Sequence, residues 1–416
     1  MNRTVPVVAG LAGAALLLAG CAASPAEGDA SAEEVTITYS NFISNGGNEE
    51  NLEAIVAAFE DENPGITVEV TTLPYADYGT ALQTDLAAGS VADVFDIEYA
   101  NYAAYQANGV LAPLEVSNPD AYRPSLLEAY STDGTSYALP SSFSTVVMFY
   151  NADLFDAAGL EYPTADWTWE DERAAAEAIT DEAAGVWGSH QPVSFYEYYK
   201  VLEQNGESFL TDDGTAVAFN TPGGIEAAEW LVGKSGTVMP TIEQGQGTPD
   251  FDTNLFLEGK LGMLHTGIWM FGAFADAPFA WDIAVEPGNT EQASAVFSNA
   301  VGVSASSEHI EAATKWAEFL TSSQVMVDTR LDAGWELPPV ADEAALATYL
   351  EKDAPANRQA VFDSLDGVAL PPVVANGQTE MQDIIGEELV EAQAGRKSVE
   401  EALASAEERI NAVLAG

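Results

Sequence analysis

The chain has 416 residues, of which 66 are Asp or Glu and 13 are Lys or Arg, for a formal net charge of -53. Phosphate contacts need clustered Lys and Arg, and here they are scattered, which excludes nucleic acid as a partner and makes an anionic lipid surface repulsive. Hydrophobic residues at 47% and aromatics at 10% suffice for a packed core, so the chain is not an acidic disordered one, and the acidity reads as solubility, as suits a salty habitat.

The N-terminus "MNRTVPVVAGLAGAALLLAGC" has the layout of a secretory signal: Arg3, an apolar run from Val5 to Leu18, then small residues. The run falls short of the roughly 20 residues of a spanning helix and lacks a basic stop-transfer flank, so cleavage is a better reading than a transmembrane anchor. Leu18-Ala19-Gly20-Cys21 resembles the lipobox of bacterial lipoproteins, which implies a lipid on Cys21. Cys21 is the sole cysteine, so neither a disulfide nor a Cys-based metal site is expected. Residues 1–20 are thus expected to be the signal peptide. Residues 21–34, small and polar, form a tether of about 40 Å at full extension.

"VTITY" alternates like a strand, and in "NLEAIVAAFEDENPG" Leu52, Ile55, Val56 and Phe59 share a helical face that Pro64-Gly65 ends. "ITVEV" alternates again, Tyr78, Leu82 and Leu86 stripe a helix closed by Gly89, and "VADVFDI" precedes a tyrosine-bearing helix that stops at Gly109. This β-α-β-α-β-α order predicts an α/β fold with a largely parallel sheet and a ligand site at strand carboxyl ends. Past Tyr137 the pattern restarts: "VVMFYN" as a strand, then "WEDERAAAEAIT" and "GGIEAAEWLVG" as helices. Ser398 and Glu401 make a capping box for a final helix striped by Val399, Leu403, Ala406, Ile410 and Val413. The length argues for two domains.

From about Thr36 to Leu414 the chain resembles the extracellular solute-binding proteins of ABC importers, in the sugar-binding family that includes maltose-binding protein. The likeness rests on motifs in order: "AFEDENPGITVEV", "AAGSVADVFDIEYANYAAYQANGVLAPL", the stretch around Tyr150-Asn151, Asp153 and Phe155, "FLEGKLGMLHTGIWMF", "SNAVGVSASSEHIEAATKWAEFLTSSQ" and "GRKSVEEALASAEERINAVL". It implies a two-lobed periplasmic-binding-protein fold, with a ligand cleft between the lobes and three inter-lobe crossings near Tyr137, Ser298 and Trp335. The N-terminal lobe is expected over 35–137 and 298–335, and the C-terminal lobe over 138–297 and 336–416. Hinge closure would present the loaded protein to the transmembrane permease subunits of an ABC importer. The lipid would hold a monomer at the outer face of the cell membrane, with no cofactor and no metal.

A sugar cleft needs aromatic platforms for C–H faces, and acids and amides for hydroxyls. Trp269 matches the family's ring-stacking tryptophan, and Trp335 sits at the third crossing. Glu98, Tyr99 and Asn101 follow "VFDI" at its carboxyl end, while Ser44 and Asn45 lie in the loop after the first strand, where a helix-capping role competes. Phe143 lies at the first crossing, and Phe195 and Tyr196 match an aromatic-contributing segment. Tyr198, Tyr199, Trp167 and Trp169 are expected to pack inside. His190, His265 and His309 are widely spaced and carry no metal-ligand pattern. No nucleophile elbow or phosphate loop appears, and a close carboxylate pair among 66 acids carries no information, so an enzyme is not expected. The competing readings are a polyamine-binding protein, because an acidic cleft with aromatic walls suits a cation, and, behind it, a secreted glycosidase.

Overall fold

The computed structural model describes residues 34–415, apart from 46, 246–247, 249, 334–336, 353 and 375–376. The signal, Cys21, the tether up to residue 33 and Trp335 therefore lie outside the described residues.

Strand β1 (Val35–Asn41), helix α1 (Glu49–Glu62), strand β2 (Ile66–Thr72), helix α2 (Tyr75–Ala88), strand β3 (Val94–Glu98) and helix α3 (Tyr99–Ala107) follow the predicted alternation. Helix α1 buries Leu52, Ile55 and Phe59, each contributing about 2 kcal/mol by removal from water. Helix α2 ends at Gly89, whose φ of 69° suits the left-handed C-cap that glycine adopts without strain.

The long strand β4 (Ala138–Asn151) is buried along nearly its whole length. The helices α4 (Trp169–Ile179), α5 (Phe195–Gln204) and α6 (Pro222–Val232) and strand β5 (Trp187–His190) follow it. Strands β6 (Leu261–Gly267), β7 (Trp281–Ala284) and β8 (Ser294–Val303) come next, then helices α7 (Ile310–Ser322) and α8 (Gln324–Ala333) and strand β9 (Val368–Ala369). The chain closes on α9 (Gln378–Gln393) and α10 (Val399–Leu414), and α10 opens with the Ser398/Glu401 capping box.

Among the described residues one sheet runs β2-β1-β3-β8-β4-β6-β5, with β9 beside β8 and β7 beside β4. The β1–β2, β1–β3 and β5–β6 pairs are parallel, as predicted. The pairs made by the long strands β4 and β8 with β3 and β6 are antiparallel, a departure from the expected parallel sheet. These two strands are the ones that run between the two halves. Strand β4 pairs with β8 up to Thr145 and with β6 from Val146 onward. Their ladder shifts register between Asn299 and Ala300, opposite Pro140, which has no N–H to donate.

The first half gathers around Trp316, fully buried edge-on against Tyr39 and Phe59. The second packs α5, α6, α9 and α10 around Phe219, Leu231, Ile385 and Ile410. The architecture is the two-lobed α/β fold.

Candidate functional site

Two cavities adjoin where β4 and β8 run between the lobes, and both are lined by Phe297 and Asn299 of β8. These residues share a strand face by period-2 geometry, and the register shift falls just after Asn299. One chamber is about 750 Å³ and the other about 570 Å³.

Aromatic rings surround Phe297. The Trp269 indole lies 5.7 Å from it at 66°, and the Tyr196 phenol 5.8 Å from it at 57°. Trp269 is 56% exposed and Tyr196 46%, among the few large apolar side chains turned to solvent. Trp269 follows β6 in a single turn of 3-10 helix and lies over Gly267, where a Cβ would come within 1.9 Å of the indole.

The smaller chamber is walled by the carboxyl end of β3 and the loop after β1. Buried Asp96 holds that loop, accepting from the Phe42 and Ile43 amides at 3.1 and 3.2 Å and from the Tyr39 hydroxyl at 2.7 Å. Burial pushes the Asp96 carboxyl up to about 7, against the pull of those hydrogen bonds. Glu98 ends β3, serves as the N-cap residue of α3 without a side-chain capping bond, and lines this chamber with Tyr99 and Asn45. Gln378 and Gln382 of α9 line it from the other side, so amides and one acid converge on it.

The larger chamber is floored by Phe143 and walled by Trp269, Phe271 and Tyr349. Three cations reach it: Arg330 from α8, and Lys352 and Arg358 from the segment beyond. The Arg358 guanidinium lies 5.0 Å from the Phe271 ring centre and 4.7 Å from that of Tyr349. Burial raises the Tyr349 hydroxyl to about 12, partly offset by Arg358.

Six of the sequence-predicted residues line the chambers: Asn45, Glu98, Tyr99, Phe143, Tyr196 and Trp269. Three lie elsewhere. Ser44 is fully buried, its hydroxyl bonded to Asn41 (2.7 Å) and near that of Thr72 (3.1 Å). Phe195 is packed in the second lobe beneath Tyr196 and against Phe209, and Asn101 is on α3 away from both cavities. Trp335 falls outside the described residues, between the lining residues Leu331 and Leu337. Sequence reasoning missed Phe297, Asn299, both glutamines and the three cations. The scarcity of Lys and Arg was a usable signal, since three of 13 fall between positions 330 and 358.

The other conspicuous residues serve the interior. Trp169 stacks on Trp230 at 4.9 Å and donates its indole N–H to Gln204, and Tyr198 and Tyr199 are buried. His265 lies between two carboxylates, Nδ1 2.8 Å from Glu286 and Nε2 3.1 Å from Glu172. Lys234 pairs with Glu172 at 2.6 Å, and Lys200 with Glu286 and Glu197, both at 2.5 Å. Burial opposes the charge on His265, but Glu172 and Glu286 outweigh it and hold the ring above its ordinary pKa. None of these six charges lines either chamber. His190 is kept neutral by burial, its pKa lowered to about 4, and His309 precedes α7. Among the described residues no group of three or more His, Cys, Asp or Glu could hold a metal ion, and no helix is long and apolar enough to cross a membrane.

A cleft at the junction of two α/β lobes, walled by exposed rings and amides, defines a binding protein for a small solute. Residues 45–327 match the family of bacterial extracellular solute-binding proteins, and the chain belongs to it. An ABC substrate-binding protein of Listeria monocytogenes, solved in complex with cycloalternan, is 40% identical, with a TM-score of 0.76 over 92% of this chain and 100% of that one. The maltodextrin-binding protein of Bacillus subtilis is 26% identical over 73% of each chain. A maltooligosaccharide ABC transporter solute-binding lipoprotein of Streptococcus pneumoniae is 23% identical over 75% of this chain and 74% of its own.

Proposed function

We propose that this protein is the substrate-binding component of an ABC importer, capturing an oligosaccharide between its lobes and delivering it to the membrane permease. The observation that carries this reading is the aromatic group of Trp269, Phe297 and Tyr196, set between chambers whose polar walls are mainly amides and hydroxyls. Rings cover the C–H faces of a sugar, and amides donate to and accept from its hydroxyls. The ligands named for the Listeria and Bacillus relatives are of this class. Closure would pivot where β4 and β8 pass from one lobe to the other, near Thr145 and Phe297.

The competing readings fit these chambers poorly. A polyamine would face Arg330, Lys352 and Arg358 in the larger chamber, where no acid stands among the described lining residues. Hydrolysis of a glycoside needs two carboxylates flanking the bond, and Glu98 is the one carboxylate among the described residues lining both chambers.

Cys21 as the lipid-bearing residue fits the lipoprotein named among the relatives. The lipid would keep a monomeric receptor near its permease and raise its local concentration there. Cys21→Ser should release the protein from washed membranes; continued sedimentation with them would refute the anchor.

Fluorescence titration of the detergent-solubilised full chain with oligosaccharides, among them cycloalternan and maltotetraose, tests the ligand class. A saturable change is expected with a sugar, weakened at least about 30-fold in Trp269→Ala, the scale of a tryptophan hot spot. A response to spermidine alone would sink the reading.

A further inference from the structure

The charges of the larger chamber run against those of the rest of the protein. With 66 acids to 13 bases, a cation in this chain has acidic neighbours to spare. Lys200, Lys234, Lys260, Lys315, Arg396, Lys397 and Arg409 each pair with a carboxylate. Lys352 and Arg358 form no ion pair among the described residues, and both face the same cavity.

The remaining donor capacity of these two side chains is specific. Lys352 donates from Nζ to the Leu331 carbonyl at 2.9 Å, and an ammonium has two further N–H groups. Arg358 is 8% exposed and donates from Nη2 to the Ala354 carbonyl at 2.6 Å, while its Nε–H is buried without a hydrogen-bond partner. The Phe271 and Tyr349 rings flank the guanidinium. A buried, unsatisfied N–H on a charged group is costly, and an arriving anion would remove that cost. Arg330, fully buried beside the chamber, adds positive potential there.

We infer that the larger chamber is a subsite for an anionic group, and that the solute is a carbohydrate carrying a carboxylate or a phosphate held by Arg358 and Lys352. This rests on the reading of the cleft as a sugar site. The rings at Trp269 and Phe297 would take the sugar body, and Lys352 and Arg358 its charge. The planar Arg fork matches a carboxylate in two-point contact, and a phosphate offers the same oxygen spacing.

The test uses the detergent-solubilised full chain and three sets of ligands: neutral oligosaccharides such as cycloalternan, maltotetraose and galacto-oligosaccharides; oligosaccharides bearing a uronic acid; and sugars bearing a phosphate ester. The tightest binder is expected in one of the charged sets, at least about tenfold tighter than the best neutral sugar, the scale of one charge-assisted hydrogen bond. Which charged set contains it distinguishes carboxylate from phosphate. Lys352→Gln changes an exposed side chain, so the fold should survive it. It should lower the ratio of charged to neutral affinity about fivefold. Arg358→Gln should lower the ratio further. A neutral sugar as the tightest binder, or a ratio unmoved by Lys352→Gln, overturns the anionic subsite while leaving the sugar reading intact. Failure of every sugar to bind overturns both.

Discussion

The sealed interior of the second lobe and the cleft between the lobes use the same kinds of side chain to opposite ends. In the interior, Glu172, Glu197, Glu286, Lys200, Lys234 and His265 are closed on one another, three acids against three cations when the imidazole is protonated. In the cleft, Lys352 and Arg358 keep donors to spare and Trp269 keeps an exposed face. Burial and charge alone therefore do not mark a site. Unused bonding capacity facing a cavity does, and a network whose buried charges are paired with one another is part of the scaffold, even where one oxygen, Glu286 Oε2, stays unpartnered inside it.

Breaking the sealed network gives the largest expected effect. Lys200→Met leaves Glu197 and Glu286 without their shared cation, and an uncompensated buried charge costs about 3–5 kcal/mol. Urea denaturation should show that loss, while the folded fraction keeps its sugar affinity. Unchanged stability, or a selective loss of binding, would erase the distinction between interior and cleft.

A smaller effect sharpens the cleft side. Gly267 has a φ of -85°, open to any residue, so Gly267→Ala introduces a methyl without backbone strain. That methyl would meet the Trp269 ring at 1.9 Å and must displace it. Sugar binding should weaken by about 1 kcal/mol, the scale of a displaced aromatic contact, with the unfolding midpoint nearly unchanged. Wild-type affinity in this variant would mean that the indole orientation is irrelevant to binding.

The fold was legible wherever a clean period existed. Strand β1, helix α1 and the final helix appear in the sequence because each turns one face to solvent, whereas β3 is buried from Val94 to Ile97 and shows as a short β-branched and aromatic run. Strand β4 was only half visible. "VVMFYN" reads as a strand, whereas "ALPSSFST" carries no strand alternation because it is buried on both faces except at the half-buried Ser144. In the site, loops and helix starts could be located but not the direction of each side chain. Phe195 and Tyr196 are neighbours on α5, yet a helix turns about 100° per residue, so one packs inward and the other lines the chamber. Ser44 and Asn45 divide in the same way. Arg330, Lys352 and Arg358 carry no motif, and only the tertiary fold sets them opposite β8.

The finest separation of the two regions is by pH. His265 has a folded pKa above its unfolded value of about 6.5, so its contribution to stability is complete below that value and is lost as pH rises through the folded pKa. Deprotonation leaves Glu172 and Glu286 facing a neutral ring, with only Lys234 and Lys200 to balance them and Glu197. The thermal midpoint should therefore decline as pH rises above about 6.5. Asp96, raised to about 7, titrates in the other lobe across a range that overlaps this one, so the His265 part must be isolated by difference. His265→Gln keeps hydrogen-bonding capacity and removes the proton; its midpoint should be lower than wild type below about pH 6.5 and should decline less above it. Above the Asp96 titration near 7, neutral-sugar affinity should stay level, since no histidine lines either chamber among the described residues. Parallel profiles for the two proteins would take the imidazolium out of the interior's charge balance, and an affinity that followed the midpoint would tie the network to the cleft.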